Sequence, residues 1–290
     1  MDKKKFSVVG LGEVLWDLLP DGKLLGGAPA NFAYHAKGLG AEAFVVSAVG
    51  PDDLGGEILS QLDRSGLETR YIHQDAEHPT GRVTVTLDAA GTPSYVIHTD
   101  VAWDFIPQSP ALLDLAERTD ATCFGTLCQR SPISQHTVRS FLENTPQDSL
   151  RVFDINLRQQ FYSASIIHNM LTLSNVLKLN DEELPVVAKL LEMDGAETSL
   201  MEELVRRYDL RLVALTRGAK GSLLCTREGW SDHPGMSVTV ADTVGAGDAF
   251  TAALVMGLLE NHPLGEINAQ ANRLAAYVCT QKGAMPPYSG

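Results

Sequence analysis

The sequence predicts an α/β protein with three layers, a mostly parallel sheet covered by helices on both faces, and a small β-sheet inserted into it. Three observations carry this. Short apolar, β-rich runs alternate with helical stretches along most of the 290 residues, the rhythm of βα units. Residues 81–98 break that rhythm with two alternating β-rich runs joined by Asp88-Ala89-Ala90-Gly91, the pattern of a hairpin. Hydrophobic residues make up 44% and charged residues 20%, the balance of a chain that buries a sizeable core.

The elements follow in order. Residues 5–11 form a short apolar run ending in glycine and read as a buried strand. The lysines before them resemble the start of an export signal, but Glu13 and Asp17 interrupt the apolar run and no small-residue cleavage site follows. A helix comes next. Pro29 suits its first turn, Ala30, Ala33, Tyr34 and Ala36 give it a small packing face, and Gly38 and Gly40 end it. Residues 44–49 are the second buried strand. Residues 69–73 with the hairpin at 81–98 are expected to form a small antiparallel sheet, the alternative being an edge hairpin of the main sheet. Further strands are expected at 121–125, 151–156, 175–179 and 210–216, separated by helices near 133–143, 165–172, 182–191 and 199–208. The apolar run at 249–259 is too short to span a bilayer. No repeat or linker divides the chain, so residues 1–290 are read as one domain.

Twenty-three Lys and Arg face 36 Asp and Glu, a formal charge of −13. Such a surface repels polyanions, which argues against nucleic acid or an anionic membrane as partner. A small anionic ligand would need local positive potential from helix N-termini or metal ions. Cys123, Cys128, Cys225 and Cys279 show no CxxC or zinc spacing and read as buried small hydrophobes in a reducing cytoplasm.

The chemistry concentrates in Asp242-Thr243-Val244-Gly245-Ala246-Gly247-Asp248-Ala249-Phe250, directly before a helix. Gly245, Ala246 and Gly247 leave backbone N–H groups uncovered, and the positive end of the helix dipole adds to them, which makes an anion site. Asp248 in the first turn is placed to accept a proton from a hydroxyl attacking phosphorus. The alternative is a helix cap behind a tight turn. No GxxxxGK[ST], HRD or DFG occurs, and neither glycine-rich loop completes GxGxxG, which excludes P-loop, protein-kinase and dinucleotide readings. A second glycine element, Gly26-Gly27-Ala28-Pro29-Ala30-Asn31, allows close backbone approach, and Asn31 offers both donor and acceptor for sugar hydroxyls. Asp17 adds a carboxylate after the first strand.

These segments together resemble the ribokinase-like (PfkB) carbohydrate kinases. GGAPANFA at 26–33 looks like the family's N-terminal signature and DTVGAGDAF at 242–250 like its C-terminal one. Between them Asp154-Ile155-Asn156-Leu157-Arg158 is similar to DxNxR, Asn180 to Glu183 to NxxE, and Thr216 to Gly221 to TxGxxG, all in family order. The resemblance implies a ribokinase-like α/β/α sandwich with a β-sheet lid built from residues of about 12–25 and 69–105. It implies Asp248 as base, with the amides of Gly245, Ala246 and Gly247 as anion hole. Asp17, Gly26, Gly27, Asn31 and Arg158 would bind the sugar. Lys178, Asn180, Thr216, Gly218, Gly221 and Asn272 would line the ATP site. Glu183 would act on Mg²⁺ through water, and Asp242, Val244 and Gly283 stand where many relatives hold potassium.

Ala28-Pro29 and the segment from Phe124 to Arg130 look like those of bacterial fructokinases, which implies fructose and ATP as substrates and fructose 6-phosphate as product. Ribose, 2-keto-3-deoxygluconate and a nucleoside such as adenosine stay open, as does a sugar- or nucleotide-binding regulator that keeps the cradle without catalysis. Val83, Val85, Val96 and Ile97 put more apolar surface on the hairpin than a solvated flap should expose, so a homodimer through the lid is expected.

Overall fold

Every residue of β1 (Ser7–Leu11) is buried, as a strand covered on both faces requires. The chain then forms β2 (Leu15–Leu19) and β3 (Gly22–Gly26) before α1 (Ala28–Gly38), β4 (Glu42–Val49), α2 (Asp53–Arg64) and β5 (Ile72–Gln74). The hairpin strands β6 (Arg82–Leu87) and β7 (Pro93–Ile97) lead to α3 (Pro110–Ala116), β8 (Ala121–Phe124), α4 (Pro132–Glu143), β9 (Leu150–Asp154) and α5 (Ala164–Leu173). The last part comprises β10 (Val176–Asn180), α6 (Glu183–Leu190), α7 (Glu197–Arg207), β11 (Leu212–Thr216), β12 (Ser222–Cys225), β13 (Trp230–His233), α8 (Ala246–Leu259) and α9 (Leu264–Cys279). The computed structural model describes residues 5–20, 22–87 and 93–288; the hairpin connection expected at 88–91 lies outside them.

The main sheet has nine strands in the order β13-β12-β11-β10-β9-β8-β1-β4-β5, parallel except at β12 and β13. Successive side chains of a strand point to opposite faces, and the two cores divide accordingly. Val9, Leu11, Phe44 and Val46 pack with residues of α3 to α7, and Val8, Ala43 and Val45 with residues of α1, α2, α8 and α9. Those are the expected three layers. β1 lies between β4 and β8, so successive crossovers leave it in opposite directions. A crevice at the carboxyl ends of strands at such a switch point is where parallel sheets place ligands.

The small sheet runs β3-β2-β6-β7, and it differs from expectation in three ways. Residues 72–74 do not join it. Ile72 is 6% exposed in the core beside Ile58, Leu62 and Leu67, and β5 pairs parallel to β4 at the edge of the main sheet. The sheet is mixed rather than antiparallel, because β2 and β6 are joined through the main sheet and pair parallel. Val83 and Val85 are 7% exposed, since they pack with Leu15 and with the partly buried Leu19 and Ile97. The apolar side chains left exposed on β7 are Tyr95 and Val96, at 56% and 51%.

Candidate active site

The crevice gathers its side chains from the carboxyl ends of β1, β9 and β10 and from the first turns of α1 and α8. α1 begins directly after Gly27, with Pro29 in its first turn, and α8 begins at Ala246 behind Gly245, whose φ of 79° is left-handed backbone. A Cβ at Gly245 would lie 2.6 Å from the Cβ of Ala284, so the absence of a side chain lets the loop rest on the C-terminal segment.

Asp248 and Asn31, 217 residues apart in the chain, meet here: Asn31 Nδ2 donates to Asp248 Oδ2 at 2.7 Å. Asp248 is buried. Loss of hydration and then the charge of Asp154 push its pKa up to about 6, against the Asn31 bond and the charges of Lys178 and Arg158. Asp248 is therefore ionised at neutral pH but basic enough to take a proton, which suits a general base. Lys178, predicted to line the ATP site, lies beneath this loop instead. Its Nζ donates to Asp154 Oδ1 at 3.0 Å and would sit 3.1 Å from a Cβ at Gly247. Burial disfavours its charge, but the carboxylates of Asp154, Glu183 and Asp248 outweigh that and raise its pKa. Thr251 Oγ1 donates to Asp154 Oδ2 at 2.8 Å, which completes a buried Asp154–Lys178–Thr251 support under the turn that opens α8. Among the predicted anion-hole groups, the Ala246 amide points at Thr243 O over 3.3 Å, a long bond that a phosphoryl oxygen could replace.

The predicted sugar residues surround the same crevice. A Cβ on Gly26 would come 2.6 Å from Asp17 Oδ2, and one on Gly27 would come 2.4 Å from Glu13 O, so the glycine pair packs directly on both acids. Burial raises the pKa of Asp17, and Arg158 opposes the rise. Asn156 turns the chain after β9 with φ 46°, and the exposed Arg158 that follows acts electrostatically on Glu13, Asp17 and Asp248.

The remaining predicted residues divide. Asn180 and Thr216 are register partners at the ends of β10 and β11, with Gly218 and Gly221 in the turn that follows. Asn272 is turned into the protein, donating to Ser222 Oγ and to Asn268, and so ties α9 to β12. Glu183 is 5% exposed and accepts the amides of Leu157 and Asn180 at 2.9 Å each, which clamps the β9 and β10 loops together. Asp242 accepts the amides of Val244 and Gly283 at 3.0 Å each, so these three predicted residues do come together. Among the described residues no group of three or more His, Cys, Asp or Glu could hold a metal ion.

Sequence reasoning gave no role to Glu13 and Thr251, nor to Asp154 and Arg130, although the last two stand in segments it singled out. Arg130 is stacked between Trp103 and Phe161, bonds Asp104 through Nε and Nη2, and donates to His98 O beyond β7, which fixes the small sheet to the turn after β8.

A family model described as pfkB family carbohydrate kinase matches residues 22–289. An uncharacterised sugar kinase of Pyrococcus horikoshii is 31% identical over 296 residues, covering 96% of this chain and 91% of that protein. Its crystal structure in complex with ATP superposes with a TM-score of 0.81 at 29% identity, over 97% of this chain and 94% of that one. Escherichia coli fructokinase is 31% identical over 302 residues, 95% of this chain and 94% of that protein. The structure of Vibrio cholerae fructokinase in its fructose-, ADP- and calcium-bound form gives a TM-score of 0.81 at 26% identity, over 97% and 94% of the two chains.

Proposed function

The chain belongs to the pfkB family of carbohydrate kinases, an ATP-dependent sugar kinase, and from that premise we propose that it phosphorylates the primary hydroxyl of D-fructose to give fructose 6-phosphate. The observation that carries the reading is Asp248, a buried carboxylate held by Asn31 beside the N-terminus of α8. The sugar oxygen attacks the γ-phosphorus while its proton passes to Asp248, the bond to the β,γ-bridging oxygen breaks, and ADP leaves with that electron pair. Amides of Gly245, Ala246 and Gly247 and the α8 dipole offset charge on the transferred group. Asp17, Gly26, Gly27, Asn31 and Arg158 hold the sugar. Asn180, Thr216, Gly218 and Gly221 receive the nucleotide, and the exposed Met236, Val240 and Val244 offer apolar area to its base. Lys178 and Asn272 act from beneath, through Gly247 and through Asn268.

Glu183 would hold Mg²⁺ through water, and the ion would supply positive charge against the nucleotide phosphates. A potassium ion beside Asp242, Val244 and Gly283 would set the loop that carries the anion hole. Among the described residues no helix is long and apolar enough to cross a membrane. Cys123, Cys128, Cys225 and Cys279 are free thiols, as a reducing cytoplasm would keep them, and we propose that location. We also propose a homodimer through the small sheet, which serves as the lid.

The test is ADP release across fructose, ribose, tagatose, 2-keto-3-deoxygluconate, fructose 6-phosphate and adenosine, with potassium varied, on wild type and Asp248→Asn. Fructose should give the highest kcat/KM, and the variant should lose roughly 10²–10⁴ in turnover while still binding ATP. Another acceptor exceeding fructose by more than about tenfold, a gap of about 1.4 kcal/mol, refutes the substrate. Undiminished turnover in the variant refutes the base.

A further inference from the structure

Residues 284–288, beyond α9, contribute no side chain to the phosphoryl-transfer chemistry, yet they are fastened to α1 and α9 along their whole length. Tyr34 Oη donates to Pro286 O at 2.8 Å, and Tyr277 Oη donates to Pro287 O at 2.6 Å. The Tyr288 ring lies against the rings of Tyr34, His35 and Tyr277. A Cβ on Gly38 would overlap that ring, so the glycine lets it rest directly on the backbone of α1.

His35 connects this segment to the site. It is fully buried and stands four residues after Asn31, on the same side of α1. Asn31 holds Asp248 at 2.7 Å. His35 Nε2 donates to Ala284 O and Nδ1 accepts from Tyr288 Oη, both at 2.8 Å, a direction set by the carbonyl, which can only accept. That same carbonyl would lie 2.9 Å from a Cβ on Gly245, and the Cβ of Ala284 would lie 2.6 Å from it. Nothing therefore separates the peptide that His35 holds from the residue that opens α8. One helix places both halves of the site a single turn apart, the carboxylate through Asn31 and the amides at the start of α8 through His35 and Ala284. The Tyr288 hydroxyl keeps the ring in the tautomer this needs. Without it the hydrogen would be free to move to Nδ1, which would leave two acceptors, Nε2 and Ala284 O, face to face.

Resting on the sugar-kinase reading above, we propose that His35 and Tyr288 are positioning residues for phosphoryl transfer: by fixing Ala284 under Gly245 they set the amides of Gly245, Ala246 and Gly247 against the charge that grows on the transferred group beside Asp248. They act through the backbone and touch neither sugar nor nucleotide. Donors of this kind work only when held within about 0.5 Å of the productive geometry, so a shift of the segment is felt in turnover rather than in binding.

The experiment measures kcat, KM for the preferred sugar, KM for ATP and the melting temperature for wild type, His35→Leu, His35→Gln, Tyr288→Phe and the double variant of the last two. His35→Leu removes the donor to Ala284 O and should lower kcat by roughly tenfold to a hundredfold, the scale of a misplacement of about 1 Å. Both KM values should stay within about twofold, because the lost interaction belongs to the transition state. Glutamine carries an amide donor to where Nε2 lay, so His35→Gln should recover kcat to within about threefold of wild type. Tyr288→Phe keeps its ring on α1. It should cost roughly threefold to tenfold in kcat in the wild-type background and nothing further in His35→Gln, where no tautomer is left to hold. If the leucine variant fails to fold, Tyr288→Phe and its cycle with His35→Gln carry the test alone. Wild-type kcat in folded Tyr288→Phe, whether its melting temperature falls or its KM values rise, overturns the positioning role and leaves the kinase reading standing. So does a Tyr288→Phe loss of equal size in both backgrounds. A wild-type enzyme that phosphorylates no sugar overturns both.

Discussion

At the scale of single residues, Asp248 as the proposed base should set the pH dependence of turnover. Its folded pKa of about 6 lies above the ordinary 3.8, and a base acts only when ionised, so kcat/KM should rise with pH through an acid limb near 6 and level off above it. Glu13 titrates close by at about 7 and counts Asp248 among the charges raising it, so the limb belongs to the pair. Removing one negative charge should move it down: Glu13→Gln should shift the limb to lower pH in a profile taken with saturating ATP, and an unmoved or higher limb would place the titrating group elsewhere. Asp248 and Asn31 were legible because each stands in a glycine-rich segment before a helix. Glu13 was not, since Gly12-Glu13-Val14 has no pattern separating a buried acid from a surface one until Gly27 is seen packed on its carbonyl. Nor was the inward turn of Lys178, because its bond to Asp154 depends on β9 and β10 lying side by side.

At the scale of elements, the periodicity that makes a buried parallel strand readable also explains what was missed. β1, β4 and β8 to β11 are short, mainly apolar runs, while the amphipathic α9 carries its knot of Asn268 and Asn272 within a polar-looking sequence. The small sheet shows the limit more sharply. Its hairpin was visible from alternation, but the neighbours of β6 and β7 depend on long-range pairing, and local pattern could not tell that β2 rather than β5 completes the sheet. With Val83 and Val85 satisfied by Leu15, the proposed dimer contact narrows to the edge strand β7, where Tyr95 and Val96 are exposed and a sheet edge invites pairing. Light scattering at micromolar concentration should give a dimer for wild type and a monomer for Val96→Glu. A monomeric wild type removes the small sheet as an interface.

At the scale of the whole molecule, three buried groups couple folding to pH with opposite signs. Glu13 and Asp248 have folded pKa values raised from 4.5 to about 7 and from 3.8 to about 6, so the folded state holds protons that the unfolded chain releases. Their stabilisation is complete below the unfolded values and is lost as pH rises through the folded ones. His35 runs the other way. Its Nε2 meets Ala284 O and its Nδ1 meets Tyr288 Oη, both at 2.8 Å, which pins the C-terminal segment beneath Gly245 and α1. The carbonyl can only accept, so Nε2 carries the hydrogen and Nδ1 accepts from the tyrosine hydroxyl, a neutral ring. Burial lowers its pKa from 6.5 to about 4, with the Ala284 bond opposing. Its contribution is therefore present above 6.5 and lost as pH falls toward 4. Each shift corresponds to about 3 kcal/mol, so between pH 4 and 6.5 the histidine offsets one acid and the wild-type dependence on pH is that of the other. Denaturant midpoints across pH 4 to 8 should separate the terms. In His35→Gln, stability relative to wild type should improve as pH falls from 6.5 to 4, because only the acids' dependence remains. In a Glu13→Gln, Asp248→Asn double variant it should worsen over the same interval, because only the histidine's remains. Parallel curves for the three proteins would show that these groups do not change protonation on folding.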